Sequence, residues 1–256
     1  MKPTLSTFLF LLAFLWHSIL LSQLVNIESR RMQTDSLRFV LKSDLWFSYS
    51  DNDGAYLLQV GSGLSTQWKT KNYKGILYFI GNFNLARSRA QDFQNSWFFH
   101  VRYNQKLSDL VRLEGFVQSQ NNELLSINSR NLLGAGIRLK FISTDDIKAY
   151  MGNSYMYEVE ESDDFGLKLY NHRNSSYLSV SISLADNRLD LTNTIYYQPL
   201  YRDFNNYRIL QQFKAEVPIT KKLKFSGLFN YFLNSLTPAG DSEYSSLLSM
   251  GLTFEI

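Results

Sequence analysis

The sequence predicts an all-β chain: a transmembrane antiparallel up-and-down β-barrel of about twelve strands following an N-terminal signal peptide. Three observations predict it. From Ser36 onward apolar residues recur at every second position, the period of a strand. The apolar face of each run carries no Asp, Glu, Lys or Arg, while the opposite face carries most of the strand charge. The runs are about ten to thirteen residues long, enough to cross a ~25 Å apolar band at a tilt, whereas strands of soluble domains average about five or six.

The N-terminus has Lys2, an apolar stretch from Phe8 to Leu21, then Ser22 and Gln23, which is the layout of a secretory signal over residues 1–22. The stretch is shorter than the ~20 residues a spanning helix needs and contains His17, which speaks against a permanent anchor. Residues 23–35 are then a periplasmic N-terminal segment, and 36–256 the barrel.

The first run places Leu37, Phe39, Leu41, Leu45, Phe47 and Tyr49 on one face and Arg38, Lys42 and Asp44 on the other. The next four apolar faces are Tyr56 to Trp68, Leu77 to Leu85, Trp97 to Tyr103 and Val111 to Val117. The same alternation continues through Leu133 to Phe141, Ala149 to Tyr157, Leu178 to Leu184 and Leu189 to Tyr197. Tyr207 to Val217, Leu223 to Leu233 and Tyr244 to Ile256 complete the set. Alternation alone also fits a soluble sandwich, with the apolar face inside. Run length favours a membrane barrel, and so does the rhythm of connections. Arg87–Gln94, Gln120–Asn131, Glu158–Arg173, Gln198–Asn206 and Ser235–Glu243 read as long outer loops, whereas Ser108–Asp109 and Pro218–Lys222 read as short periplasmic turns. Tyr49, Tyr56, Trp68, Trp97, Tyr157, Tyr197, Tyr207, Tyr231 and Tyr244 stand near run ends on the apolar face, as an interfacial aromatic girdle would.

The chain of 256 residues has no Pro/Gly/Ser linker that would divide it. Absence of cysteine excludes a disulfide scaffold and thiolate chemistry. A net charge of +3 without a Lys/Arg-rich run argues against nucleic acid as a partner. The expected surroundings are outer-membrane lipid and lipopolysaccharide in a Gram-negative bacterium, with the barrel-assembly machinery as a partner during biogenesis. An unidentified envelope partner stays open.

The segment Val25-Asn26-Ile27-Glu28-Ser29-Arg30-Arg31, followed by this strand pattern, resembles the envelope family called domain of unknown function 481 (DUF481). The resemblance covers nearly the whole mature chain. It implies an outer-membrane location and says nothing of activity, because the family has no established catalytic residues to carry over. The C-terminus departs from the usual outer-membrane ending, since Ile256 is last and Phe254 stands two residues earlier.

No cofactor and no metal are expected. His100, beside Arg102 and facing Arg112 and Glu114, has the composition of an acid/base cluster, but no nucleophile is placed near it, and lumen ion pairing is the plainer reading. His172 lies near Asn171, Asn174, Ser175 and Ser176 at an outer strand end, where a lipid hydrolase would need it; His172 and Ser175, three apart, should point to opposite sides. The acidic group Glu158, Glu160, Glu161, Asp163 and Asp164 reads as solvated loop charge rather than a calcium loop, as it lacks D-x-D-x-D-G spacing. The lumen charge cluster is assigned to Arg38, Lys42, His100, Arg102, Arg112, Glu114, Arg138 and Lys140. Inward Lys and Arg outnumber inward Asp and Glu overall, and bulky Trp46, Phe98, Phe116, Tyr150, Leu210 and Phe232 narrow the interior. The expected function is a narrow, anion-preferring pore or a structural envelope component without a catalytic site. The alternatives are an outer-membrane lipid or lipopolysaccharide hydrolase and an accessory subunit of an envelope complex.

Overall fold

In the computed structural model the described residues are 37–255, apart from 53–54, 89–92, 124–126, 163–166, 185–187 and 237–241. The signal peptide, the segment 23–35 with Val25–Arg31, and Asp53, Asp163, Asp164 and Ile256 lie outside them. Twelve strands run in order: β1 (Phe39–Asn52), β2 (Ala55–Lys69), β3 (Gly75–Ser88), β4 (Phe93–Lys106), β5 (Val111–Asn122), β6 (Ile127–Ser143), β7 (Ile147–Ser162), β8 (Leu167–Leu184), β9 (Leu189–Leu200), β10 (Asp203–Pro218), β11 (Leu223–Asn234) and β12 (Glu243–Glu255). Each pairs antiparallel with its sequence neighbour, and β12 returns to β1 through Leu45↔Leu252 and Phe47↔Met250. Closure removes the unpaired edges that hydrocarbon would leave unsatisfied. Among the described residues no helix is long and apolar enough to cross a membrane.

The alternation read from the sequence separates outside from inside. Leu45 is 64% exposed on the wall, while Val40, five residues earlier and facing in, is fully covered. Leu133, Leu248, Met250 and Phe213 are likewise exposed outward, whereas the inward positions are polar or packed. Four short connections close by backbone hydrogen bonds: Leu107 N–H to Val111, Thr144 N–H to Ile147, Ile219 N–H to Leu223, and Thr70 N–H to Gly75. The last turn carries Tyr73 at a left-handed φ of 57°.

The outer connections are shorter than expected. The segment Glu158–Arg173 is mostly strand, since β7 runs to Ser162 and β8 starts at Leu167; β5 and β6 likewise shorten the expected Gln120–Asn131 loop. Strands reach 18 residues as a result. Polarity suggested loops, but the polar side chains are matched across the ladder. Glu161 pairs with Lys168 on the outside, and Arg130 with Glu158 on the inside. The ladder therefore continues above the apolar band.

Inside, three aromatic side chains lie against a glycine that is their direct cross-strand partner: Trp46 on Gly61, Phe116 on Gly134 and Tyr177 on Gly152. A Cβ at any of these glycines would overlap the ring. Bulk on one strand is thus accommodated by its absence on the next.

Candidate functional site

The lumen is organised in three tiers of charge separated by apolar packing. In the outer tier Glu158 of β7 has no exposed surface. Its carboxylate accepts from Arg130 Nε of β6 at 2.7 Å, Arg173 Nε of β8 at 3.3 Å, Asn171 Nδ2 at 3.3 Å and Arg208 Nη1 of β10 at 3.0 Å. Arg208 reaches past β8 and β9 and also donates to Glu160 at 3.0 Å. Arg130 lies 3.4 Å from Glu160. Three guanidiniums thus meet two carboxylates. Burying these charges costs several kcal/mol per ion, which the repeated charge-assisted hydrogen bonds offset.

In the middle tier Glu114 of β5 accepts from Arg102 Nη1 at 2.9 Å and from the Tyr177 hydroxyl of β8 at 3.4 Å, with Arg138 Nε 4.0 Å away. Arg102 stacks 4.6 Å over Phe116, and Arg138 stacks 3.8 Å over Tyr150. His100 is fully covered and lies between the rings of Phe98 and Phe116. Its Nε2 accepts from Arg102 Nε at 3.2 Å, which assigns the ring proton to Nδ1, 3.1 Å from Gln118 Oε1. That lone pair accepts from a guanidinium, and the imidazole braces the wall between two rings. Tyr177, Tyr196, Leu210 and Phe232 pack together nearby, as do Phe116, Leu132 and Met156.

The third tier, at the end of the short turns, joins Lys42 to Glu255 at 3.0 Å, Lys224 to Asp190 at 3.5 Å and Lys214 to Glu216 at 2.8 Å. Thr253 donates to Asp44 at 2.6 Å. In the turn between β4 and β5, Lys106 bonds Asp109, and that hydrogen bond together with the lysine's charge lowers the Asp109 carboxyl below its ordinary value.

Of the residues grouped from the sequence, His100, Arg102, Glu114 and Arg138 come together. Arg112 and Lys140 are half-buried near the short turns, Lys42 belongs to a separate tier, and Arg38 is exposed just before β1. Reasoning from sequence missed Arg130, Arg173 and Glu160, which had been given to loops. The signal was present: Glu160 and Glu158 keep phase with inward Met156 and Ser154. The acidic group is accordingly divided, with Glu158 and Glu160 inside and Glu161 paired to Lys168.

On the outer wall, Trp97, Tyr157, Tyr197, Tyr207, Tyr231 and Tyr244 occupy outward positions toward the outer strand ends, and the rings of Tyr197 and Tyr207 meet at a tilt of 47° with centroids 5.5 Å apart. Trp68 marks the opposite rim beside Phe39. Tyr49 and Tyr56 are placed by register alone, in β1 and β2. His172 faces outward, hydrogen-bonded to the Tyr155 hydroxyl and packed against Tyr157, while Ser175 faces the lumen and accepts from Gln198 Nε2 at 3.0 Å. The barrel wall separates the two.

No curated protein matches the sequence. Among solved structures, the NanC porin aligns with a TM-score of 0.51 at 12% identity, over 85% of this chain and 100% of its own. The COG4313 outer membrane channel from Pseudomonas putida F1 aligns with a TM-score of 0.53 at 10% identity, over 85% of this chain and 94% of its own. Both likenesses are of fold. The family described as "Protein of unknown function, DUF481" matches residues 59–256, a region that excludes Val25–Arg31, so its support comes from the barrel. On that match the chain belongs to the DUF481 family.

Proposed function

We propose that the chain is a narrow, non-enzymatic pore of the Gram-negative outer membrane with a preference for anions. One observation carries this reading: among the described residues of the outer tier three guanidiniums, Arg130, Arg173 and Arg208, meet two carboxylates, Glu158 and Glu160, an excess of positive charge where the lumen is tightly packed. A cationic constriction of low dielectric lowers the barrier for anions and raises it for cations. The outer-membrane placement is supported by the apolar outward band and by the likeness of fold to the porin and the channel.

Planar-bilayer recording across a potassium chloride gradient tests the pore. A reversal potential of anion-selective sign is expected, and a cation-selective one would overturn the preference. Absence of conductance would instead favour the second reading, a structural envelope component, which the apolar packing of Tyr177, Tyr196, Leu210 and Phe232 across the mid-lumen supports. The hydrolase alternative needs His172 within reach of a serine on one face; Ser175 lies on the other, and Ser176 shares the outward face but stands four residues along the strand, its hydroxyl bonded to Asn174. Incubation with phospholipid and lipid A is expected to give no product.

A further inference from the structure

The lumen is filled unevenly. Along β5 to β8 it holds large buried side chains, among them Phe116, Met156 and Tyr177, and two of these rings fill the space over Gly134 and Gly152. Along β11, β12, β1 and β2 most inward side chains are short. One cross-strand row there runs Lys224, Thr253, Asp44, Gly63, and the next runs Ser226, Gly251, Trp46, Gly61. Asp44, Trp46, Ser48, Leu228, Asn230 and Leu247 face inward on this side and are only half-buried. In a closed barrel the surface they keep is turned to open lumen. Buried polar atoms point the same way. Ser65 Oγ of β2, beside Lys42, both side-chain polar atoms of Gln67 and Asn234 Oδ1 of β11 are covered and have no hydrogen-bond partner among the described residues. Such atoms are costly in a dry interior and are satisfied along a wet one.

We infer that water and small anions cross the lumen along the side formed by β11, β12, β1 and β2, and that Trp46 sets the width of this path. Trp46 repeats the packing of a ring on a glycine, its indole lying with the Asn84 side chain over Gly61. Phe116 and Tyr177, packed in the same way, are buried, whereas the indole keeps exposed surface. It is the one large apolar side chain in the two rows, so whatever moves along this side passes it. The packing of the opposite side limits the occupant to water and small hydrated anions such as chloride. Toward its outer end the path meets the arginine tier, where Asn234 is the cross-strand partner of Arg208 and the positive potential favours anions.

This path rests on the pore proposed above, and two measurements separate them. The full chain lacks cysteine, so single thiols report without background. Ser48→Cys and Leu228→Cys stand on the open side, whereas Ser179→Cys and Thr194→Cys replace covered residues bonded to each other across β8 and β9. Each folded barrel, checked by heat-modifiable migration, is treated with a small anionic methanethiosulfonate and read by mass. The open-side pair should label about tenfold faster than the covered pair. In planar bilayers Trp46→Ala should raise single-channel conductance about twofold. Phe116→Ala on the packed side, or Met156→Ala where that variant fails to fold, should leave conductance unchanged. Equal labelling of the four sites, or faster labelling on β8 and β9, would overturn the path. In a conducting barrel, no gain from Trp46→Ala, or an equal gain from the packed-side variant, would overturn the role of Trp46. Labelling in the expected order by a barrel that conducts neither as wild type nor as Trp46→Ala would support the solvent path while contradicting the pore and the role of Trp46.

Discussion

Glu158 is a carboxylate without solvent, held by guanidiniums from three strands. Neutralising it in Glu158→Gln leaves Arg130 and Arg208 to Glu160 and takes from Arg173 its carboxylate partner, and removing one partner of a buried ionic group costs about 3–5 kcal/mol. Urea unfolding in detergent micelles should show that loss, whereas Asp109→Asn, in an exposed turn pair screened by water, should leave unfolding unchanged. The glycines give a second contrast. Gly134→Val drives a branched side chain into the Phe116 ring and should cost about 1–3 kcal/mol, part of which the double variant with Phe116→Ala recovers. At Gly227 a Cβ meets nothing within 4 Å, so Gly227→Ala should be tolerated in the same unfolding assay. At this scale the sequence was half legible. The inward face of Arg102, Glu114 and Arg138 follows from phase, but the pairing of Phe116 with Gly134, and of Arg208 with Glu158 three strands away, depends on register and chord length. Neither is encoded in local spacing.

β8 shows what an element can and cannot announce. From Leu178 to Leu184 its outward residues are all apolar, and period two made that part of the strand readable at once. Val180→Arg places a charge on that face and should cost about 2–4 kcal/mol if the position meets mid-membrane lipid. A negligible change in the unfolding midpoint would remove Val180 from the hydrocarbon. The outer half of the same strand, Leu167 to Arg173, was read as loop because Asn171, His172 and Arg173 look like turn residues. They are strand residues whose polarity serves two environments. Asn171 and Arg173 turn inward to Glu158, and His172 turns outward into the aromatic rim with Tyr155 and Tyr157. Hydrophobic alternation marks the part of a strand that crosses lipid, so the part that rises above it goes unmarked.

For the whole molecule, an even number of long strands with uncharged outer faces pointed to a barrel, yet the same alternation could have closed a two-sheet sandwich. The difference lies in one contact that the chain's pattern does not contain, the pairing of its first strand with its last. That seam also fixes the sidedness of everything else: the arginine tiers face a lumen and the aromatic rim faces outward. The chain has no native cysteine, so the seam can be probed without background. The most direct measurement is thiol cross-linking of the Leu45→Cys/Leu252→Cys variant in isolated outer membranes, scored by gel migration and compared with Leu45→Cys/Ser62→Cys within the β1–β2 hairpin. Efficient cross-linking of both pairs is the predicted result. Cross-linking of the hairpin pair with none at the seam would contradict a closed barrel.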